Sequence, residues 1–301
     1  MAITTYSDRA ENSISCDQAP ATPSAAFTRS IAVPLHQRRT VTAVIPTLNE
    51  ERNIAWVIER VPTIVDEVLV VDGQSVDRTV ERARASRPDV LVVPQEGRGK
   101  GSALRTAFAA ARGDYIVVLD ADGSMDPAEI DYYVAALDEG YEFAKGSRYL
   151  KRGGSLDLTA IRSMGNRALV RAVNLLWGVS MTDLCYGYFA LRRDLYPKLG
   201  IRSTGFEIEC ELVVNALSRG LRVAEVPSIE LRRQHGVSNL SAWRDGRRVL
   251  LTLLSRRFEA LSGRHGRRRG AVVDVLEDEL SSRFRRWPAL TDHPLSSSVA
   301  A

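Results

Sequence analysis

The sequence predicts an α/β fold: a mainly parallel sheet covered by helices on both faces, followed by a C-terminal amphipathic helix. Three observations carry this. Short, near-continuously apolar strands alternate with helical patterns, four β-α units in fewer than 90 residues, as parallel strands buried on both faces require. The downstream ends of three strands are polar and acidic. A long segment at 240–263 carries apolar residues at helical spacing beside many arginines.

The elements follow in order. VTAVIP (41–46) is a strand ended by proline, and residues 49–61 place Ile54, Val57, Ile58 and Val61 on one helical face. EVLVVD (67–72) is the second strand, residues 76–87 the second helix and VLVVP (90–94) the third strand. Residues 99–113 form a helix of small side chains, expected to close at Gly113. YIVVLDAD (115–122) is a strand that runs into acids. After Gly146 the alternation weakens, leaving helices at 162–178, 206–220 and 240–263 and a strand at 221–227. Residues 1–38, rich in Ser, Thr, Ala and Pro, read as a disordered leader. Residues 39–239 form the main domain, and 264–301 a basic, mostly disordered tail. There is no internal repeat.

Composition narrows the function classes. The chain has 301 residues, of which 45% are hydrophobic and 26% charged, as in globular proteins. Three cysteines without CxxC spacing exclude a disulfide scaffold and a thiolate zinc site. Four scattered histidines argue against a multi-histidine metal site. No apolar run approaches the ~20 residues that span a bilayer, and no signal peptide is visible, so a cytoplasmic location is expected. The net charge of +4 hides an asymmetry: nine arginines against two acids lie between Ser241 and Arg269. Such a block points to an anionic partner. It has few interleaved aromatics and no RNA-binding signature, so nucleic acid is not expected.

In open α/β sheets ligands bind beyond the carboxyl ends of the strands. Here those ends are Pro46-Thr47-Leu48-Asn49-Glu50, Asp72-Gly73-Gln74-Ser75-Val76-Asp77 and Asp120-Ala121-Asp122-Gly123-Ser124. Each alone reads as an ordinary helix N-cap. Three acidic ends on one rim would repel one another unless a cation joined them. Asp120 and Asp122, two residues apart beyond a buried strand, suit a hard divalent ion such as Mg²⁺ or Mn²⁺. Gly97-Arg98-Gly99-Lys100-Gly101 fails the GxxxxGK[ST] pattern, and no GxGxxG follows the first strand, which disfavours P-loop and dinucleotide-binding enzymes. Its N–H groups and Lys100 remain a candidate anion site at a helix start.

In order, VIPTLNEERNI, VVDGQSVDRT, GKGSALRTAFAAARGDYIVVLDAD, KGSRYL, TDLCYGYFALRRD, GFEIECEL and EVPSIELRRQHGVSNL occur along the chain. This series resembles the family-2 inverting glycosyltransferases of the Rossmann-like GT-A fold, in their dolichol-phosphate mannose synthase-like branch, over roughly residues 40–242. The resemblance implies a nucleotide-sugar donor (UDP- or GDP-linked), a divalent metal and transfer of a hexose with inversion. Pro46, Thr47, Leu48 and Glu50 resemble residues lining the base and ribose pocket, and Asp72 the acid that contacts the base. Lys100 and Asp120 stand where the family meets the nucleotide, and Asp120 with Asp122 matches the metal-binding pair. Ser124 stands where the branch often has Gln. Arg148, Arg233 and, more loosely, Arg162 resemble arginines that hold phosphate. Ser238-Asn239 stands where the lipid-phosphate branch often has Ser-Lys.

Two carboxylates remain as candidate general bases for a hydroxyl acceptor: Asp183 first, Glu209 second. A phosphate acceptor would need cations rather than a base. Arg148, Arg162 and Arg233 then favour a polyprenyl phosphate over a glycan or small-molecule hydroxyl. On a helical wheel Leu240, Trp243, Leu250, Leu254, Phe258 and Leu261 form one stripe with Arg244, Arg248, Arg256 and Arg257 beside or opposite it. Segment 240–262 is therefore expected either to lie on an anionic membrane at the inner face of the plasma membrane or to pack on the main domain. An alternative of another class is a catalytically silent scaffold that binds nucleotide or membrane.

Overall fold

The computed structural model describes residues 38–236, 242–262 and 272–276. The chain divides at Arg38, and of the first unit, Met1–Arg38, only Arg38 is described. The second unit begins with β1 (Val41–Thr47), α1 (Ile54–Glu59), β2 (Glu67–Asp72), α2 (Thr79–Ser86), β3 (Leu91–Pro94), α3 (Lys100–Ala110) and β4 (Tyr115–Val118). A 3-10 turn at Pro127–Glu129 leads into α4 (Ile130–Asp138), β5 (Phe143–Ser147), β6 (Gly154–Ser155) and α5 (Ala160–Trp177). Then follow β7 (Phe189–Arg192), α6 (Tyr196–Leu199), α7 (Ile208–Ser218), β8 (Arg222–Pro227), β9 (Ile229–Glu230), α8 (Ala242–Leu261) and β10 (Val272–Val275).

Eight strands form one sheet in the order β10-β8-β5-β7-β4-β1-β2-β3. All pairs are parallel except those of β7, which runs antiparallel between β4 and β5. This is the mainly parallel, helix-covered sheet that the patterning predicted, and it has the GT-A-like architecture that the resemblance implied. Strand side chains alternate between the two faces. Val41, Ala43 and Ile45 pack in one core with Ile54, Val57 and Ile58 of α1 and much of α4. Val44, Leu69 and Val71 pack in the other with α3, α5, α7 and α8. Burial on both faces is why the strands read as unbroken apolar runs.

The structure departs from the sequence expectations at identifiable places. Helix α1 begins at Ile54, because residues 49–53 are taken up by a turn at the sheet rim. Helix α3 ends at Ala110, and Gly113 is not its cap. A Cβ on Gly113 would lie 2.7 Å from the Thr42 amide nitrogen, so glycine is there to let the chain pass against β1. Helix α4 escaped notice because seven of its residues are buried, leaving no polar stripe to set a period. Strand β5 was hidden by Lys145, which is fully buried. Its ammonium donates to the carbonyls of Tyr186 and Gly146, and burial pushes its pKa down. Strand β10 pairs parallel with β8 inside a stretch expected to be mostly disordered. The rest of that tail lies outside the described residues.

One buried acid gives a test of the core. Glu129 accepts from the Ser228 hydroxyl and, at 2.9 Å, from the Ile229 amide. Burial outweighs these bonds and raises its pKa from 4.5 to about 8. Between those values the folded state holds a proton that the unfolded state has lost, so its contribution to stability falls as pH rises. Glu129→Gln is expected to shrink the drop in Tm between pH 5 and pH 8 by at least roughly 2 °C. Calorimetry at the two pH values checks this, and an unchanged drop refutes it.

Candidate active site

The site is built on the adjacent carboxyl ends of β4, β1 and β2. The turns after β1 and β2 brace each other. Ser75 Oγ accepts from the Asn49 amide at 2.9 Å, Asn49 Oδ1 from the Val76 amide at 2.9 Å and Thr79 Oγ1 from the Glu50 amide at 2.8 Å. Asn49 and Gln74 hold positive φ of 55° and 69°, a conformation uncommon away from glycine and often found at functional sites. Leu48 is exposed at this rim and Pro46 half-buried, while Thr47 is buried with its hydroxyl donating to the Ile45 carbonyl. The Asp72 carboxylate accepts from the Ser75 amide.

The acids beyond β4 are met by two cations. Lys100 Nζ lies 2.7 Å from both Asp120 Oδ1 and Glu209 Oε1. Burial disfavours its charge, but the two carboxylates prevail and raise its pKa. Arg233 reaches Asp122 Oδ2 at 2.7 Å and Glu50 Oε1 at 3.2 Å. Burial, and then the Asp120 charge, push the Asp122 pKa up, while Arg233 and a bond from the Ser124 amide oppose the shift. The Glu50 pKa is raised chiefly by burial. Within the expected anion cradle, Gly97-Arg98-Gly99-Lys100-Gly101, the Gly101 amide is already engaged. The Thr204 carbonyl accepts from the Gly101 amide at 2.9 Å and the Ser102 amide at 3.2 Å, so these first-turn donors of α3 are spent within the chain.

The fit of a divalent ion can be judged from these acids. Asp120 and Asp122 are hard oxygen donors on one rim, each already drawing a cationic side chain to within 2.7 Å. That is the environment in which Mg²⁺ or Mn²⁺ binds, with substrate oxygens or water completing the shell. Among the described residues no cluster of three His, Cys, Asp or Glu side chains forms a closed metal site.

A second group lies toward α5 and α8. Arg148 Nε lies 2.7 Å from Asp183 Oδ2, Nη2 lies 3.1 Å from Oδ1, and Nη1 reaches Glu230 Oε2 at 3.0 Å. Arg162 Nη2 lies 3.6 Å from the other Glu230 oxygen. Asp183 is fully buried on this fork, and its loop is held from below by Glu225. Glu225 accepts from the Asp183 amide at 3.0 Å and from Thr182, and burial raises its pKa to about 7. Arg148 and Arg162 thus converge on Glu230, whereas Arg233, expected beside them, lies against Asp122 and Glu50.

Arg148, Arg162 and Glu209 also line a pocket of about 330 Å³ whose walls are mostly apolar, including Ile161, Leu169, Leu184, Trp243 and Val249. Asn166 lines it too. Its carbonyl accepts from the Leu184 and Cys185 amides, and its amide nitrogen has no partner among the described residues. Sequence reasoning missed Glu225, Glu230 and Asn166. The signal for the first two was present: acids inside the otherwise apolar run AEVPSIEL imply buried partners.

The model of the glycosyl transferase family 2 matches residues 42–200. The chain belongs to that family. A glycosyltransferase AglJ of Haloferax volcanii is 34% identical over 72% of this chain and 71% of its own length. The polyprenol monophosphomannose synthase of Mycolicibacterium smegmatis is 31% identical over 76% of this chain and 90% of its own. Among solved structures, glucosyl-3-phosphoglycerate synthase from Mycobacterium tuberculosis, in complex with Mn²⁺, UDP-glucose and phosphoglyceric acid, gives a TM-score of 0.61. It is 29% identical, covering 73% of this chain and 80% of that one. The protein is a glycosyltransferase of the dolichol-phosphate mannose synthase-like branch.

In this glycosyltransferase Asp122 is the buried member of the acid pair and shares Arg233 with Glu50. Asp122→Asn is expected to lower turnover at least about 100-fold, to weaken Mn²⁺-dependent nucleoside diphosphate binding and to leave the circular dichroism spectrum unchanged. Lost turnover with metal-dependent nucleotide binding intact would refute the assignment.

Proposed function

We propose that the protein moves a hexose from a UDP- or GDP-linked donor to the phosphate of a polyprenyl phosphate, with inversion. The observation that carries this is the pocket whose apolar walls lead to Arg148 and Arg162. It suits an acceptor with a long apolar chain and an anionic head. The donor nucleotide lies in this reading over the rim formed by Pro46, Thr47, Leu48, Glu50, Asp72 and Lys100. Mg²⁺ or Mn²⁺ held by Asp120 and Asp122 would supply positive charge to the leaving nucleoside diphosphate.

The acceptor phosphate is largely ionised near neutral pH, with a second pKa of about 6, so it attacks without a general base. Its oxygen forms the new bond to the anomeric carbon as the bond to the nucleoside diphosphate breaks on the opposite face. Arg162 meets that phosphate in this reading, and the 28% exposure of its side chain supports it. Arg148 offers its remaining N–H groups from a fixed fork, and Asp183 serves as the holder of that fork. Arg233 belongs to the donor side, where it would exchange Asp122 and Glu50 for phosphate oxygens.

A second reading, transfer to a hydroxyl on a small phosphorylated acceptor, is favoured by the phosphoglyceric acid bound in the glucosyl-3-phosphoglycerate synthase complex. It needs a base, and Glu209, which lines the pocket, is better placed than the wholly buried Asp183. Nucleoside diphosphate release, assayed with UDP- and GDP-sugars against polyprenyl phosphate and hydroxyl acceptors, separates the two. Arg162→Ala is expected to raise the KM for polyprenyl phosphate by roughly tenfold. An unchanged KM, with Glu209→Gln inactive at saturating hydroxyl acceptor, would assign a hydroxyl acceptor instead.

Helix α8 supports a membrane partner in the same reading. Its inner face buries Asp245, Val249 and Leu253, and its outer face exposes Trp243, Leu250, Leu254, Phe258 and Leu261. Arg244 and Arg247 are exposed beside this stripe. Leu240 lies outside the described residues. No described helix is long and apolar enough to cross a membrane; in this reading the attachment is peripheral, at the cytoplasmic face. Each basic residue near an anionic surface adds about 1 kcal/mol. The full-length protein is expected to pellet with phosphatidylserine-containing vesicles more than with phosphatidylcholine vesicles, and Phe258→Glu to lose this. Equal pelleting with both, or none, overturns the electrostatic attachment.

A further inference from the structure

We propose that Glu211 is a positioning residue for the donor half of the site, acting with Arg256 of α8 to hold the first turn of α3 and, through it, Lys100. The proposal rests on the reading of the β1-β2-β4 rim as the donor site.

Glu211 is fully buried on α7, where an acid without partners would be strongly disfavoured. Its carboxylate accepts from the Arg202 amide at 3.1 and 3.0 Å and from the Ser203 amide at 2.8 Å. The Arg256 guanidinium supplies the opposite charge and also binds Glu259 Oε2 at 2.7 Å. One residue beyond Ser203, the Thr204 carbonyl accepts the two first-turn amides of α3. The fit between the segments leaves no slack. A Cβ on Gly99 would lie 2.4 Å from the Thr204 oxygen, and one on Gly101 2.5 Å from the Ser203 oxygen. Lys100 stands between these glycines and bridges Asp120 to Glu209.

An acid is required because every partner of Glu211 is a donor, and charge-assisted bonds of this kind are the stronger ones. A glutamine would keep one acceptor oxygen and turn an NH₂ group toward N–H donors. Segment 202–204 would then loosen, the α3 amides would lose their acceptor, and Lys100 would lose its fixed place between the two acids.

The test is titration calorimetry of UDP and of GDP, each with Mn²⁺, into the full chain, which needs no acceptor and no turnover. Glu211→Gln and Arg256→Gln are expected to weaken binding about tenfold, and Arg256→Lys to restore most of it. Leu253→Ala removes a fully buried α8 side chain and none of the hydrogen bonds or ion pairs of the linkage, so it is expected to lower Tm while leaving nucleotide affinity unchanged. Wild-type affinity in Glu211→Gln overturns the proposal, as does weakening in Leu253→Ala equal to that in Arg256→Gln. A wild-type protein that binds neither nucleotide overturns the donor-site reading itself, and this proposal with it.

Discussion

Four carboxylates on one rim, those of Glu50, Asp120, Asp122 and Glu209, set the constraint that the rest of the site accommodates. Like charges this close are unfavourable unless cations stand among them. The fold delivers two, from segments far apart in sequence. Lys100 arrives from the start of α3 and Arg233 from the turn after β9. Each delivery demands close backbone approach. Gly99, with φ +90°, and Gly101 admit segment 203–204. Gly123, with φ +77°, admits Gln234, whose side chain would meet a Cβ at 2.7 Å. The glycines flanking these charged residues are therefore consequences of the electrostatic problem rather than generic turn punctuation.

The Arg148 group, the acceptor side in the proposed reading, solves the converse problem. Arg148 is buried, and a guanidinium out of water needs its hydrogen bonds and its charge met together. Asp183 and Glu230 do both, in a bidentate and a single contact, and Glu225 fixes the Asp183 loop in turn. Such a chain of buried ions contributes little net stability, because desolvation offsets most of the attraction. Its effect is geometric, since it fixes the direction in which Arg148 presents its remaining donors to the pocket.

Much of the β1-β2-β4 rim was legible in the sequence because it depends on local pattern. Apolar strands end in Asp72, Asp120 and Asp122, and those ends are neighbours once the sheet is parallel. The Arg148 group depends on pairings across long separations, which periodicity does not encode. Nothing near Arg148 in sequence announces Asp183 or Glu230 as its partners. Where buried ions enter regular elements, as Lys145 does in β5, they erase the pattern itself. Gly113 misled for a related reason: a glycine after a helical run reads as a cap, and close passage against β1 leaves the same mark.

Helix α8 shows the limit of periodicity most sharply. A single apolar stripe implies a single buried face, yet α8 has apolar side chains on two. Val249 and Leu253 complete the core against α5 and α7, with Arg256 bound to Glu211 on the same side. Trp243 is 89% and Phe258 74% exposed, so the outer stripe is not needed for folding. A contiguous exposed apolar stripe flanked by arginines is costly in water and marks an interaction face. Trp243 belongs to both the stripe and the pocket wall. A surface that covered the stripe would therefore stand at the pocket, and in the proposed reading a lipid-borne acceptor would enter there without leaving its membrane.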